Sequence, residues 1–457
     1  MIFPNQLPNK DDKLFLMKNR FNITILCLTM LMGCRQVTAQ NKLSVEQAIA
    51  TALENNFDIK LLRNDSSSYA LDNSYARAAF LPRLNATGGL VFNNNNQKQL
   101  LADGTKRQSK AIRSNTLSGS VQLNWTLFDG LKMFATKDKL AEFVRLGELN
   151  IKNQMVTTVA DVINNYYNIV RQKQLLKAIE EQMSINEERV KVAEKRLSVG
   201  LGAKPELLQG KVDLNAQKAA RLRQQTLIEQ LKEQLNQLMN VVLNTRYEVS
   251  DSITFSNDII LGDLLGAVEK TNPLLLLTKK NIDIGKLTLK ERRAERWPVL
   301  TFNSAYNYSK TDNKTVINPF TPLYSRNNGF NYGVGISIPI LNGFNTRRQI
   351  QQAKLDIDYL NIAYQNQKAK IDLGITNAFK DYELQKKTLA LEEENIILAK
   401  ENVYIALERL RLGISTYLEL RETQKSLELA YDRLIAARYN TKLAETELLR
   451  LKGDLVR

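Results

Sequence analysis

The chain has 457 residues, 25% of them charged and 43% hydrophobic, a balance that excludes both a disordered tail and a bundle of membrane helices. Lys and Arg outnumber Asp and Glu by 64 to 48, a net charge of +16, but the two signs alternate along predicted helices, which reads as solvated faces rather than a nucleic-acid footprint. Histidine is absent, and the two cysteines, Cys27 and Cys34, lie near the N-terminus, so the body of the chain lacks the commonest general base, the commonest metal ligand and any thiol.

Residues 1–39 read as a signal peptide with an N-terminal extension. Met17-Lys18-Asn19-Arg20 is basic, with Met17 an alternative start, and residues 21–32 form an apolar run too short to span a bilayer. Two processing sites stay open. Val37-Thr38-Ala39 before Gln40 suits an ordinary signal peptidase, while Leu31-Met32-Gly33-Cys34 resembles a lipobox with Cys34 as the acylated residue. Both take the mature chain out of the cytoplasm.

The remainder is a long tandem repeat, 42–250 followed by 251–457. Trp125-Thr126-Leu127-Phe128-Asp129-Gly130 aligns with Ile338-Pro339-Ile340-Leu341-Asn342-Gly343, 213 residues later. Arg196-Leu197-Ser198-Val199-Gly200 aligns with Arg409-Leu410-Arg411-Leu412-Gly413 at the same offset, and Leu81-Pro82 pairs with Trp297-Pro298 at 216. Each repeat predicts a short helix, a helix ending at Pro, two strands, a very long helix, a break and a second long helix.

Strands are expected at 83–93, 116–128, 299–309 and 330–340, joined within each repeat by loops 94–115 and 310–329. Leu117, Val121, Leu123 and Trp125 alternate with Ser118, Ser120, Gln122 and Asn124, as Phe330, Tyr332, Val334 and Ile336 alternate with Asn331, Gly333, Gly335 and Ser337. Both faces lack charge, and the length suits a tilted membrane crossing. Four strands cannot close a barrel, and an open edge in lipid strands backbone polar groups, so copies must combine: two give eight strands and three give twelve.

The hairpins are expected over 131–240 and 344–454. Residues 131–198, at about 1.5 Å each, run roughly 100 Å. Leu420, Leu427, Leu434 and Leu448, with Ala430, Ala437 and Ala444 between them, repeat as a coiled coil does. The stripes also include small or polar residues, Gly210, Gln217, Arg221 and Gln224 on 205–240 and Thr423 and Thr441 on 416–454, so the packing is expected to be imperfect or partly wet. The shorter return arms leave helices 57–80 and 274–296 to complete the rod, with a mixed segment at 241–273.

On the duplicated Leu-Pro/Trp-Pro, Phe128-Asp129-Gly130/Leu341-Asn342-Gly343 and Arg-Leu-x-x-Gly motifs, in that order, residues 42–457 resemble the TolC family of bacterial outer-membrane efflux proteins. The resemblance implies a mainly α fold with membrane β: long antiparallel coiled-coil hairpins plus four transmembrane strands per chain, combined in a homotrimer as one 12-stranded β-barrel and a periplasmic α-helical tunnel. It implies an outer-membrane channel of a tripartite efflux or type I secretion system, with an inner-membrane pump and a periplasmic adaptor as partners and outer-membrane lipid around the barrel. No enzyme activity, cofactor, metal or nucleic acid is expected. A cell-envelope coiled-coil scaffold without channel activity is the alternative; it leaves the four strands unexplained.

Counted from the motif glycines, the family's acidic aperture positions fall at Glu419 and Glu422 after Gly413, and at Glu206 and Gln209 after Gly200. Carboxylate rings select cations by their summed field. A basic residue that braces the closed state in the family falls here at Ser415, so Arg409 or Arg411 is expected to take over the latch. The turns at Val199, Gly200 and Leu201, and at Leu412, Gly413 and Ile414, are where the resemblance places the adaptor.

Overall fold

In the computed structural model, residues 42–255, 259–318 and 320–456 are described. The leader, with Cys34 and both processing sites, lies outside them. The first repeat contains α1 (Val45–Asn55), α2 (Phe57–Ser74), a 3-10 turn (Ala76–Phe80), β1 (Arg83–Leu100), β2 (Lys106–Phe128), α3 (Lys132–Ser198) and α4 (Lys204–Met239). The second contains α5 (Leu261–Thr271), α6 (Pro273–Ala294), β3 (Val299–Asn313), β4 (Tyr324–Ser337), α7 (Asn345–Arg411) and α8 (Tyr417–Lys452). None of the described helices is long and apolar enough to cross a membrane.

The strands form one antiparallel sheet in the order β1-β2-β3-β4. All four outrun the expected bounds at their hairpin ends, β4 by starting at Tyr324, and most of the presumed loops 94–115 and 310–329 are hairpin. Pairing continues to Leu100↔Lys106 and Asp312↔Tyr324 because Asn, Gln and Thr there still alternate and nothing breaks the ladder. β4 instead stops at Ser337 rather than 340, where Pro339 has no N–H to donate. The predicted helix 57–80 leaves α geometry after Ser74 and tightens into the 3-10 turn before Pro82.

Register settles the faces. Rows such as Leu84–Leu123–Ser304–Tyr332 and Ala86–Val121–Tyr306–Phe330 share one side. Asn85–Gln122–Ala305–Asn331 and Thr87–Ser120–Asn307–Gly329 share the other.

The sheet meets the helices at left-handed corners. Gly130 (φ +74) and Leu131 (φ +71) turn β2 into α3, and Gly343 (φ +63) and Phe344 (φ +62) open α7. At Gly130 a side chain is excluded twice, by φ and by the Ala294 carbonyl oxygen, 2.3 Å from where Cβ would sit. The carboxylate of Asp129 accepts from the Met133 N–H and caps α3.

Midway along the rod the repeats are spliced by one device used twice. Asn56 caps α2 through the N–H groups of Asp58 and Ile59, and its amide donates to the Leu238 carbonyl at 3.0 Å. Asn272 caps α6 through the Leu275 N–H, and its amide donates to the Leu451 carbonyl at 2.7 Å. Both asparagines are buried, and each fastens the end of a return helix to the start of the helix that continues its journey. Apolar clusters surround the two splices. Ala48 and Ala52 of α1 pack with Val162, Tyr166, Ile169, Ile228 and Leu235, and Leu264 and Val268 of α5 pack with Ile371, Ile375 and Leu448.

Candidate functional site: the helical tips

Both long hairpins turn at the same end, and the two turns are geometric copies. In each, glycine has φ +76. Gly200 N–H donates to the Leu197 carbonyl and Leu201 N–H to that of Arg196, at 3.1 and 2.9 Å. Gly413 and Ile414 repeat the pattern on Leu410 and Arg409 at the same distances. This paired 5→2 and 6→1 closure needs a left-handed residue at its centre, which is why the Arg-Leu-x-x-Gly motif ends in glycine. The closure leaves Val199, Leu201, Leu412 and Ile414 between 61% and 75% exposed, four apolar side chains at the extreme end of the molecule.

The three expected aperture carboxylates differ in how they are held. Glu419 is engaged: Arg409 donates to one oxygen at 2.9 Å and Ser415 Oγ to the other at 2.7 Å. Its own N–H is capped by Thr416 Oγ1. Glu419 therefore staples α8 to α7. Ser415, where the family's bracing cation would fall, is buried and serves that staple. Glu206 and Glu422 form no ion pair or side-chain hydrogen bond with any described residue. Glu422 is exposed and shares a groove of about 400 Å³ with Arg189, Asp213, Arg421, Gln424 and Glu428.

Of the two arginines expected at the latch, Arg411 reaches across the hairpins to Glu188 of α3 at 3.1 Å, while Arg409 stays within its own hairpin on Glu419. The main link lies deeper, at a residue that no motif or spacing singles out. Arg189 of α3 is 2% exposed. It donates to Asp213 of α4 at 2.6 Å and to Gln424 of α8 at 2.8 Å, and its guanidinium lies 4.6 Å from the Tyr417 ring centroid. Tyr417 OH also points at Asp213, and Gln424 donates to Asn186. Burial raises the Tyr417 hydroxyl pKa above its ordinary value and Asp213 adds to this, although Arg189 opposes both. Tyr417 therefore stays a neutral donor at physiological pH. An arginine in a helical heptad reads as a surface residue; only the meeting of three helices makes it a core one.

Close approach at this point depends on Gly210. A Cβ there would sit 3.2 Å from Val190 Cγ2 and 3.8 Å from the Tyr417 hydroxyl. Nothing else on α4 is buried before Ile228.

The family described as "Outer membrane efflux protein" matches residues 48–241 and 264–454, both repeats in register with the helices and strands above. The chain belongs to that family. The outer membrane efflux protein BepC of Brucella suis biovar 1 is 21% identical over 346 residues, covering 73% of this chain and 72% of its own. Outer membrane protein TolC of Vibrio cholerae is 20% identical over 401 residues, 83% of this chain and 84% of its own. The fold is also that of the Campylobacter jejuni CmeC outer membrane channel, with a TM-score of 0.74 at 16% identity over 90% of this chain and 85% of that one. As a member of the outer membrane efflux family, the protein resides in the bacterial outer membrane, with its helices in the periplasm, and it serves efflux. The family is one of channels rather than of enzymes.

Proposed function

We propose that three copies of this chain form a passive duct, a 12-stranded barrel continued by a helical tunnel. The duct is the exit of a tripartite system, with an inner-membrane pump supplying the energy and a periplasmic adaptor seated on the two tips. The observation that carries this is the sheet: one face apolar and the other polar, neither carrying charge along 84–93, 116–128, 299–309 and 327–337, and two strand edges with unpaired backbone that only neighbouring copies can satisfy in lipid. The exposed apolar quartet Val199, Leu201, Leu412 and Ile414, set on rigid glycine turns, supports a docking role for the tips. An α-helical hairpin of the adaptor can approach closely there.

Glu206 and Glu422, which pair with no described residue near the helical tips, would line the aperture and favour cations. Glu419 is a structural neighbour whose charge is already offset by Arg409. The test is the reversal potential of the reconstituted protein under a salt gradient. Wild type should prefer cations and Glu206→Gln/Glu422→Gln should lose most of that preference, whereas Glu419→Gln should alter it little. Equal selectivity in all three would remove the aperture assignment while leaving the duct intact.

A further inference from the structure

Charge is distributed along the sheet in a way that the channel reading does not use. Apart from Arg83 at the base, residues 83–93, 116–128, 299–309 and 327–337 carry no charge. Beyond them, segments 94–115 and 310–326 hold Lys98, Lys106, Arg107, Lys110, Arg113, Lys310, Lys314 and Arg326 against only Asp103 and Asp312.

The register assigns most of these cations a side. Lys310 and Arg326 face each other in the row that includes Leu90 and Leu117, on the apolar side. Arg113 pairs with Asn94, two positions beyond the Phe92–Asn115 row on the same side. A bulge follows, where the ladder steps from Asn95↔Ile112 to Gln97↔Ser109. Ala111 sits there at φ +53, its N–H donating to Asn96 Oδ1. The extra residue reverses the parity of β2, so that Lys106, which would otherwise turn to the polar side, comes opposite Leu100 on the apolar side; Lys98 precedes it. Among the paired cations of segments 94–115 and 310–326, Arg107 alone faces inward, the side on which Arg83 also lies.

Five cations thus project from the lipid-facing side: Lys98, Lys106, Arg113, Lys310 and Arg326. Lys310 and Arg326 lie in the row directly beyond an aromatic belt of Tyr306, Tyr308 and Phe330, and Tyr324 lies one row farther out. The apolar stretch beneath them on β3, from Leu300 to Tyr308, measures roughly 27 Å along the strand at about 3.3 Å per residue, which tilting shortens to a membrane's apolar depth. Arg326 lies 5.5 Å from the Tyr308 ring centroid and Lys310 5.6 Å from that of Tyr324, so the aromatic rings hold the two charges at the boundary. Only Lys310 has an acidic partner, Asp312 at 3.2 Å. The other four form no ion pair with any described residue.

We infer that this outward rim binds the phosphate groups of the anionic glycolipid in the outer leaflet of the membrane around the barrel. The inference rests on the channel reading, which makes the apolar face the lipid face. Cargo is not the partner of these five side chains, because they share the lipid side and not the Asn- and Ser-rich lumen side. Guanidinium and ammonium groups just past an aromatic girdle stand at headgroup depth, and an arginine fork matches phosphate geometry. The pairing neutralises the lipid's phosphates as it anchors the barrel's height in the leaflet.

The test uses the full-length protein in phosphatidylcholine nanodiscs carrying a minor fraction of lipid A or of phosphatidylglycerol. Lipids retained on the extracted protein are counted by mass spectrometry. Wild type should enrich lipid A roughly ten-fold over the bulk mixture, less at high salt, and Arg113→Gln/Lys310→Gln/Arg326→Gln should lose the enrichment. Arg107→Gln, which removes a charge from the inward side, should keep it. Equal retention by wild type and the triple variant overturns the proposal, and equal enrichment of phosphatidylglycerol overturns the choice of glycolipid. Conductance of the same preparations separates the two readings: conduction without enrichment discards the rim alone, and a protein that never conducts discards the channel and the rim together.

Discussion

The two hairpins share an offset, a turn geometry and a length, yet their distal halves are built differently. Along α7, Leu389, Ile396, Val403 and Leu410 step by seven against Leu420, Leu427 and Leu434 of α8, a continuous apolar seam with Ala430 and Ala437 filling between. The same region of α3 and α4 buries Gln182, Asn186 and Arg189, and α4 buries nothing between Gly210 and Ile228. Apolar seams are held by area and resist sliding; a polar seam is held by a few directional bonds whose loss strands a charge. On this ground the second hairpin is expected to be the fixed stave, and the first the mobile one, if the two move apart at all. Arg189, bonded to Asp213 in its own hairpin and to Gln424 in the other, is the buried tie between them, and any movement of one hairpin against the other would have to break it.

Breaking that tie should have the largest effect. Arg189→Ala leaves Asp213 short of its partner in a largely dry site, and a cost of about 3–5 kcal/mol is expected, read as a fall in the thermal midpoint of the detergent-solubilised protein. Arg189→Met, which keeps the volume, should recover part of it.

The contrast between the seams is sharpened by a matched pair. Leu427→Ala removes a side chain 1% exposed and should cost about 2–5 kcal/mol. Leu214→Ala, in the looser α4 seam, should cost less than about 1.5 kcal/mol by the same rule, because the site is already part open. Equal losses in denaturant unfolding would erase the distinction between fixed and mobile staves.

The smallest expected effect lies at the splice, away from both tips. Lys173 of α3 pairs with Asp251 at 2.7 Å and Glu248 at 3.2 Å. The lysine's hydrogen bond and charge hold the Asp251 carboxyl below the usual carboxylate range. A lowered carboxyl stabilises the fold above its unfolded pKa and loses that contribution as pH falls through the lowered value. Lys173→Ala should therefore cost at most about 1 kcal/mol at neutral pH, since Asp251 is exposed, and the gap from wild type should close in strong acid.

How much of this was legible beforehand follows the range of the interactions. Apart from 57–80, which leaves α geometry after Ser74, the long-helix bounds came within a few residues because Pro, Gly and apolar period are local signals. The faces of the sheet followed from simple alternation at Leu117–Trp125, but its length did not, since Asn93 to Gln97 carry turn-forming residues that here pair as strand. The glycine turns were readable as a repeated motif, whereas the duplicated Asn56 and Asn272 splices were not, though they stand 216 apart: asparagine is common, and its meaning depends on Leu238 and Leu451, about 180 residues away. Counting from glycine named Glu419 and Glu422 alike, but only the fold separates the stapled carboxylate from the free one. Arg189 was invisible for the same reason, since its partners lie on two other helices.

Single-channel conductance in planar bilayers, comparing wild type with Arg189→Met and with Leu427→Ala, tests the division of labour most directly. A small conductance in wild type, a several-fold larger one in Arg189→Met and a wild-type value in whatever folds of Leu427→Ala is the predicted pattern. A folded Arg189→Met oligomer that conducts no better than wild type would contradict it, and the restraint on opening would then lie elsewhere than between these hairpins.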